Sequence, residues 1–460
     1  MKQFRPLAAR SPINDYMIGA FYVPNWRTGA LGLSFGGYTW EQLNGYPRTV
    51  PMKGRYHHEG QVQLMEEQLA EMIRFGIRWL AFDWYHNETT GNPGQVLLNH
   101  ALDAYLKCDS RLRAQVKFCI NWITHSGFTP ATENEWAACY QNWVSAGYLG
   151  HPDYLRIDGR PVIYVFETDT VRQNAAGTST RFLTFGGFDR TITLVNPATD
   201  EITISGVDVP NTGTSVSFVV NSGTIPTGLT AGIRYFAIRI SNSVLKLATT
   251  QANALAGTAI DITDAGTGSF VIRYGLNWSP IRSHAYVYNT MRTYVQGQGL
   301  PNPYLVLGNG YPVPFWRDEY VAATADASSA YNYHSNYDPA TNQMNLPQAW
   351  SYAELDSDYR ENWLWNFQNS ICDYIPTFAT GWDNRAWGGG SDPNHVCIGT
   401  IGEFESHLRY MKTLMDRFPD KCRRMAIGFA WNELGEGGIL EPSNGYGRGM
   451  LRAIRDVFYT

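Results

Sequence analysis

Short apolar runs of strand length alternate with segments of helical period along almost the whole chain, and this alternation leaves few folds open. The first run covers residues 17–24. A helix follows at 61–75, with Val62, Met65, Leu69, Met72 and Ile73 on one stripe. Then come a strand at 77–83, a helix at 95–107, a strand at 116–122, a helix at 132–147 and the run Pro161-Val162-Ile163-Tyr164-Val165-Phe166. After a central interruption, a helix at 279–297 precedes Tyr304-Leu305-Val306-Leu307, and a short helix near 315–324 precedes Ala330-Tyr331-Asn332-Tyr333. A helix at 352–371 precedes Thr377-Phe378-Ala379, a helix at 401–417 precedes a strand that ends at Trp431, and a helix at 446–458 closes the series. Eight strand–helix units in this order predict an α/β chain folded as a (β/α)8 TIM barrel. A doubly wound sheet would need a phosphate-type glycine loop after the first strand, and Val23-Pro24-Asn25-Trp26 provides none.

The interruption runs from 177 to 274 and divides the barrel into a first part, 1–176, and a second, 275–460. Trp, His, Cys and Met are absent between Thr178 and Arg273, although the flanks are rich in them. Polar and apolar residues alternate in Thr191-Ile192-Thr193-Leu194, Glu201-Ile202-Thr203-Ile204 and Ser215-Val216-Ser217-Phe218, with turn signals such as Asn211-Thr212-Gly213 between them. This pattern predicts an inserted all-β, sandwich-like module of roughly six to eight strands after the fourth barrel strand.

Composition excludes several classes of function. A net charge of −5 offers no basic footprint for nucleic acid. No apolar run reaches 18 residues, so no membrane insertion is expected, and Met1-Lys2-Gln3-Phe4-Arg5-Pro6 leads into no signal-peptide core. The six cysteines (108, 119, 139, 372, 397, 422) form no C-x-x-C and read as reduced, buried small hydrophobes. The ten histidines form no H-x-x-H or H-E-x-x-H pattern, so neither a metal nor another cofactor is expected.

The chemistry concentrates near the last strand. An apolar stretch ending in Phe429-Ala430-Trp431 breaks into Asn432-Glu433-Leu434-Gly435-Glu436-Gly437-Gly438. Two carboxylates three residues apart on a glycine-rich loop, just past a barrel strand, are placed for general acid/base work. The competing structural reading is two solvated loop charges. Aromatic residues fall at the ends of other strands: Trp26, Trp84, Tyr85, Trp122, Tyr333, Trp382 and Trp431. Each serves core packing about as readily as sugar stacking, but as a set they favour a sugar-lined mouth. Asp83, Asn121, Asp383 and Asn432 are candidates to bond sugar hydroxyls, with Asp383 equally suited to capping a turn. Glu441, before Pro442, reads as structural.

Trp431-Asn432-Glu433-x-x-Glu436-Gly437 followed by Leu440-Glu441-Pro442 resembles the signature of the family 99 endo-α-mannosidases, and more closely that of their WbsX-like bacterial relatives. Gly19-Ala20-Phe21-Tyr22-Val23-Pro24-Asn25-Trp26, Phe82-Asp83-Trp84-Tyr85, Phe118-Cys119-Ile120-Asn121-Trp122, Asp158-Gly159-Arg160-Pro161-Val162 and Gly381-Trp382-Asp383-Asn384 match in the same order. The resemblance covers most of the chain outside the insert, and departs from the usual pattern at Leu434, where Trp is customary. It implies a retaining endo-type glycoside hydrolase. In that chemistry Glu433 would act as a base on the sugar's own 2-hydroxyl, giving a 1,2-anhydro intermediate. Glu436 would protonate the leaving oxygen and then activate water.

Within the insert, Gly228-Leu229-Thr230-Ala231-Gly232 through Leu245-Lys246-Leu247-Ala248 and Gln251 to Asp261 resemble a small β-module of bacteriophage tail and fibre proteins. That resemblance implies a virion tail component acting on a polysaccharide or oligosaccharide at the bacterial surface, with other tail proteins as neighbours. Two other classes of function stay open: a non-catalytic glycan- or receptor-binding protein on the same scaffold, and a glycosyltransferase. A transferase needs a nucleotide-sugar site, and the one D-x-D, Asp356-Ser357-Asp358, falls on a predicted helix and reads as a solvated face.

Overall fold

The computed structural model describes residues 16–28, 38–86, 96–124, 128, 130, 133–166, 188–206, 209–210, 212–213, 215–231, 233–274, 284–308, 324–333, 337–338, 343–344, 351–387 and 396–460. Eight strands close into a parallel barrel: β1 Met17–Tyr22, β2 Ile77–His86, β3 Lys117–Ile123, β4 Arg160–Val165, β5 Tyr304–Leu307, β6 Ala327–Ser328, β7 and β8 Met425–Phe429. Each of β1 to β6 pairs in parallel with the next, and β1 also pairs with β8. Closure depends on β7, which is in two pieces. Asp373–Tyr374 pairs with β6 and Thr377–Ala379 pairs with β8. The switch of partner falls at Pro376, whose nitrogen has no hydrogen to give a ladder. Its carbonyl still accepts from Ile427 N–H, while Ile375 N–H reaches back to Ser328. The predicted (β/α)8 barrel is therefore the observed one.

Helices cover the barrel: α1 Val62–Phe75, α2 His100–Lys107, α3 Glu133–Ser145, α4 His284–Gly297, α5 Tyr352–Asn369, α6 Ile401–Arg417 and α7 Gly449–Phe458. In α1, Leu64, Met65, Gln68, Leu69, Met72 and Phe75 are buried, at the spacing of one helical face. Gly76 ends it at φ +90°, a backbone that side chains rarely adopt. In α6 a reciprocal capping box between Thr400 and Glu403 closes the first turn. The helix expected near 315–324 lies almost wholly outside the described residues. The strand expected at Ala330–Tyr333 instead occupies Ala327–Ser328, three residues earlier, and the chain bends after it.

Aromatic rings meet across the barrel interior. Phe21 on β1 meets Tyr164 on β4, which is not its neighbour in the sheet, at 5.8 Å between ring centres. Trp79 on β2 also packs on Tyr164, and its indole N–H donates to Met17 O at 3.1 Å. Trp79 takes this position because its partner in register is Gly19. A methyl group on Gly19 would lie 2.2 Å from Trp79 Cε2.

Residues Phe188 to Tyr274 make a second closed sheet. Its six strands run in the order Glu201–Ile204, Val244–Ala248, Arg234–Arg239, Ser215–Thr224, Thr267–Tyr274, Phe188–Asn196, and then return to the first. All neighbours are antiparallel. Its core is separate from that of the large barrel and includes Val195, Ile202, Phe218, Tyr235, Leu247 and Ile272. The expectation was a sandwich-like module; the sheet instead closes on itself, which removes exposed edges. One short helix, Gln251–Leu255, interrupts the all-β pattern. Both expected junctions of the insert, near 177 and 274–275, adjoin residues outside those described.

Gly19→Ala should destabilise the protein at or beyond the upper end of ordinary core overpacking, about 3 kcal/mol. Urea denaturation followed by tryptophan fluorescence measures this, and a wild-type midpoint would show that Trp79 can retreat.

Candidate active site

Period-2 alternation sorts the strand-end residues. On β2 and β3, Asp83 is in register with Asn121, and Trp84 with Trp122. Asn121 Nδ2 donates to Asp83 Oδ1 at 2.8 Å, and both residues are buried. Trp84 and Trp122 point to the other face, where both meet the edge of Trp143 on α3 at 5.3 and 5.4 Å. They bind helix to sheet, each pair contributing about 0.5–1.5 kcal/mol beyond area burial, and present no surface to a ligand. Tyr85 shares the face of Asp83; its hydroxyl bonds to the Asp83 carboxyl, and its ring meets Phe128 edge-on.

Past β8 the chain forms a hairpin, Asn432 pairing with Ile439 and Glu433 with Gly438. Glu436 N–H bonds to Glu433 O at 3.1 Å, so both acids flank one tight turn. Gly437 follows at φ +84°, and a methyl group there would meet Asp383 N at 2.9 Å. Glycine thus permits both the turn and its close approach to the end of β7. Asp383 N–H donates to Glu436 O, and Thr380 Oγ1 donates to Gly437 O. Leu434, at the position where the resembled signature carries Trp, is buried with Trp26, Trp40, Leu43 and Ile439.

A residue singled out only as part of a strand joins these elements. The Tyr331 hydroxyl lies 3.1 Å from Glu433 Oε2 and 3.3 Å from Asp83 Oδ2. Its ring is enclosed by Phe21, Phe166 and Phe429, at 4.6, 4.8 and 5.0 Å. Tyr333, the tyrosine picked from the sequence, instead packs on Tyr359 of α5 and shares a hydrogen bond with Tyr374. The chain bends at Tyr331, beyond the end of β6, so strand parity gave no guide to which ring faces inward.

Burial pushes the Glu433 carboxyl well above the usual carboxylate range, and the charges of Glu436 and Asp83 push it further. Burial likewise raises Asp83, to about 8, against the bonds from Asn121, Tyr331 and Tyr85. Neither Asp83 nor Glu433 has a cationic partner among the described residues. Glu436 is half-buried beside them. Trp382 stacks on Phe429 at 6.0 Å and completes the wall. The site residues drawn together are Asp83, Tyr85, Asn121, Trp382, Glu433 and Glu436, with Tyr331 added. Closely spaced carboxyls with raised proton affinity, beside aromatic rings, can hold and move protons at a barrel mouth.

The remaining candidates hold the hairpin in place. Asn432 is fully buried; its amide accepts from Val23 N–H at 2.8 Å and donates to Val23 O at 2.7 Å. Trp26 Nε1 donates to Asn432 O, and Trp26 stacks on Trp40. Trp431 is fully buried in the main core, and its backbone N–H donates to Phe21 O. Asp383 takes two bonds from the Arg385 guanidinium and lies 3.5 Å from Arg48. The helical D-x-D is not a solvated face: Asp356 pairs with Arg360 and accepts from His407 Nδ1 at 2.8 Å.

A second acidic cluster lies beneath the hairpin and was not anticipated. Glu59 accepts from Trp26 N–H and Asn432 Nδ2, and burial raises it well above the usual range. Glu441 accepts from Gln68 Nε2 at 2.9 Å, and burial raises it to about 7. No group of three or more His, Cys, Asp or Glu among the described residues could hold a metal ion, and no described helix is long and apolar enough to cross a membrane.

A family model described as "Glycosyltransferase WbsX" matches residues 276–454. The chain is similar to the GH99 endo-alpha-mannosidase from Bacteroides thetaiotaomicron in complex with BIS-TRIS-Propane, at 11% identity and a TM-score of 0.48, over 96% of each chain. It is also similar to a GH1 beta-glucosidase from the fungus Humicola insolens in complex with glucose, at 10% identity and a TM-score of 0.42, over 96% of this chain and 97% of the other. A GH5-4 broad specificity endoglucanase from Clostridium longisporum matches at 8% identity and a TM-score of 0.36, over 85% and 86%. No curated protein sequence is matched by the chain.

Glu441 gives a stability test. Its folded proton affinity, near pH 7, exceeds the ordinary carboxyl value of 4.5. The stability it contributes is fully present below about pH 4.5 and is lost as pH rises through about 7. Glu441→Gln should therefore gain on the wild type across that window and hold the gain above it. Urea midpoints measured from pH 4 to 8 would contradict this if the two proteins ran parallel.

Proposed function

We propose that this protein is a retaining endo-type glycoside hydrolase acting on a bacterial surface polysaccharide, with Glu433 and Glu436 as its carboxyl pair. The observation that carries the reading is the mouth cluster: two acids on one turn, a third facing them, and Trp382 and Tyr85 as aromatic walls. Glycoside cleavage needs one carboxyl that gives a proton and another that acts as a base or nucleophile, and burial is the usual means of separating such roles. Glu436, half-buried, has the access that protonating a leaving oxygen and then activating water require. Glu433, bonded to Tyr331, is the base toward the sugar. The match of residues 276–454 to the WbsX family model, which spans this motif, supports glycosyl chemistry.

The description of that model names glycosyl transfer, which is the second reading. Against it stand the helix-borne D-x-D, with Asp356 already paired, and the lack of a phosphate-type loop after β1. The resemblance of the insert to phage tail modules supports a virion setting in which the second barrel serves attachment or a further glycan contact.

Incubation with a panel of bacterial capsular and O-antigen polysaccharides, followed by assay of new reducing ends, tests the reading. Release should occur without any nucleotide sugar, and Glu433→Gln and Glu436→Gln should each lower it by about 10²–10⁴-fold while leaving the melting temperature near that of the wild type. Glycan binding with no release by the wild type would favour a non-catalytic binder; polymer growth dependent on a nucleotide sugar would favour the transferase. Replacing 177–274 by a short Gly/Ser linker should preserve cleavage of a small aryl glycoside, and its loss from a folded barrel would place part of the site in the insert.

A further inference from the structure

Hydrogen-bond bookkeeping at Tyr331 leads beyond the carboxyl pair, and the step rests on the reading of Glu433 as a base. Tyr331 has one hydroxyl proton and faces two carboxyl oxygens, Glu433 Oε2 and Asp83 Oδ2. It can donate to only one of them. With both acids ionised, the other oxygen would face a phenol lone pair in a buried site, an arrangement that is costly where water cannot screen it. Proton loss from the phenol gives no relief, because burial and both acids push Tyr331 well above the usual phenol range. One further proton on the three groups satisfies both contacts of the Tyr331 hydroxyl.

We propose that Asp83 and Glu433 share one proton through the Tyr331 hydroxyl, and that Asp83 holds it while Glu433 accepts a proton from substrate. Asp83 is the positioning and proton-holding residue, and Glu433 the reacting group. Asn121 fixes the geometry by donating to Asp83 Oδ1, so that Oδ2 is the oxygen that faces Tyr331. The chain of donors then runs from Asp83 Oδ2–H to Tyr331 Oη, and from Tyr331 Oη–H to Glu433 Oε2. Moving the shared proton back to Glu433 reverses both bonds without a net change of charge. The groups facing Asp83 are Asn121 from β3, Tyr85 from its own strand, Tyr331 from beyond β6, and Glu433 and Glu436 from the hairpin after β8. None of these groups carries a positive charge, and burial together with the neighbouring acids favours retention of a proton by the pair, against the bonds that Asn121, Tyr331 and Tyr85 donate. Such a pair titrates as a unit in two separated steps.

Asp83→Asn tests this, because an asparagine amide can accept from Asn121 and donate to Tyr331 just as a protonated Asp83 does. Infrared difference spectra between wild type and Asp83→Asn, taken from pH 6 to 10, cancel the protonated carboxyls of the second cluster. The expected result is one protonated-carboxyl band, present in the wild type at pH 7, lost as pH rises into the alkaline range, and absent from the variant. On any polysaccharide the wild type cleaves, Asp83→Asn should lose the upper of the two ionisations in its pH–rate profile and retain more kcat/KM than Asp83→Ala. Asp83→Ala, which lacks the donor, should fall well below both. An Asp83→Asn protein that keeps the wild-type band and pH profile overturns the proposal, as does a folded Asp83→Asn protein as inactive as Asp83→Ala. If the wild type cleaves nothing, the hydrolase reading fails, and the infrared spectra alone decide whether the proton is shared.

Discussion

The bond between the Tyr331 hydroxyl and the acids on either side of it is the constraint around which the mouth of the barrel is arranged. Asp83 comes from β2, Tyr331 from beyond β6 and Glu433 from beyond β8, so the contact exists only if the sheet closes. Closure in turn depends on the broken strand β7, whose two halves serve different neighbours across Pro376. Beneath the bond, Phe21, Phe166 and Phe429 fix the Tyr331 ring from three directions. A phenol so enclosed cannot swing away when a carboxyl changes its protonation, and the cluster must redistribute protons instead.

The hairpin that carries Glu433 and Glu436 is held with similar rigidity. Asn432 makes two bonds to the backbone of Val23, and Gly437 lets the turn rest against the end of β7. Leu434 anchors the far side of the turn in an apolar pocket with Trp26 and Trp40. Glu59 and Glu441, buried below, are satisfied mainly by backbone, amide and phenol donors rather than by cations. The chain therefore places two layers of carboxyls with raised proton affinity under one mouth, and only the upper one faces the aromatic wall.

Much of this was legible in the sequence, for a physical reason. Strand–helix alternation is written in local periodicity, so the eight units and the acid-bearing turn could be read from it. Choosing among aromatic residues needed a finer rule. Adjacent residues on one strand point to opposite faces, so Asp83 and Trp84 could not both line the site, nor could Asn121 and Trp122; the alternation of β2 and β3 already separated them. Tyr331 was not recoverable in that way, because it lies past the end of a two-residue strand, where the period of two no longer holds. Nor could local pattern reveal that Asn432 turns inward to clamp Val23, or that Asp356 is paired with His407 on α6, since those partners are remote in sequence.

A crystal structure of the protein with an oligosaccharide from the polysaccharide it binds would test the central claim most directly. The account predicts a sugar ring at the barrel mouth against Trp382, with its 2-hydroxyl within hydrogen-bond distance of Glu433 and its glycosidic oxygen facing Glu436. A glycan seated only on the second barrel, or at the mouth with its reducing sugar out of reach of both acids, would contradict it.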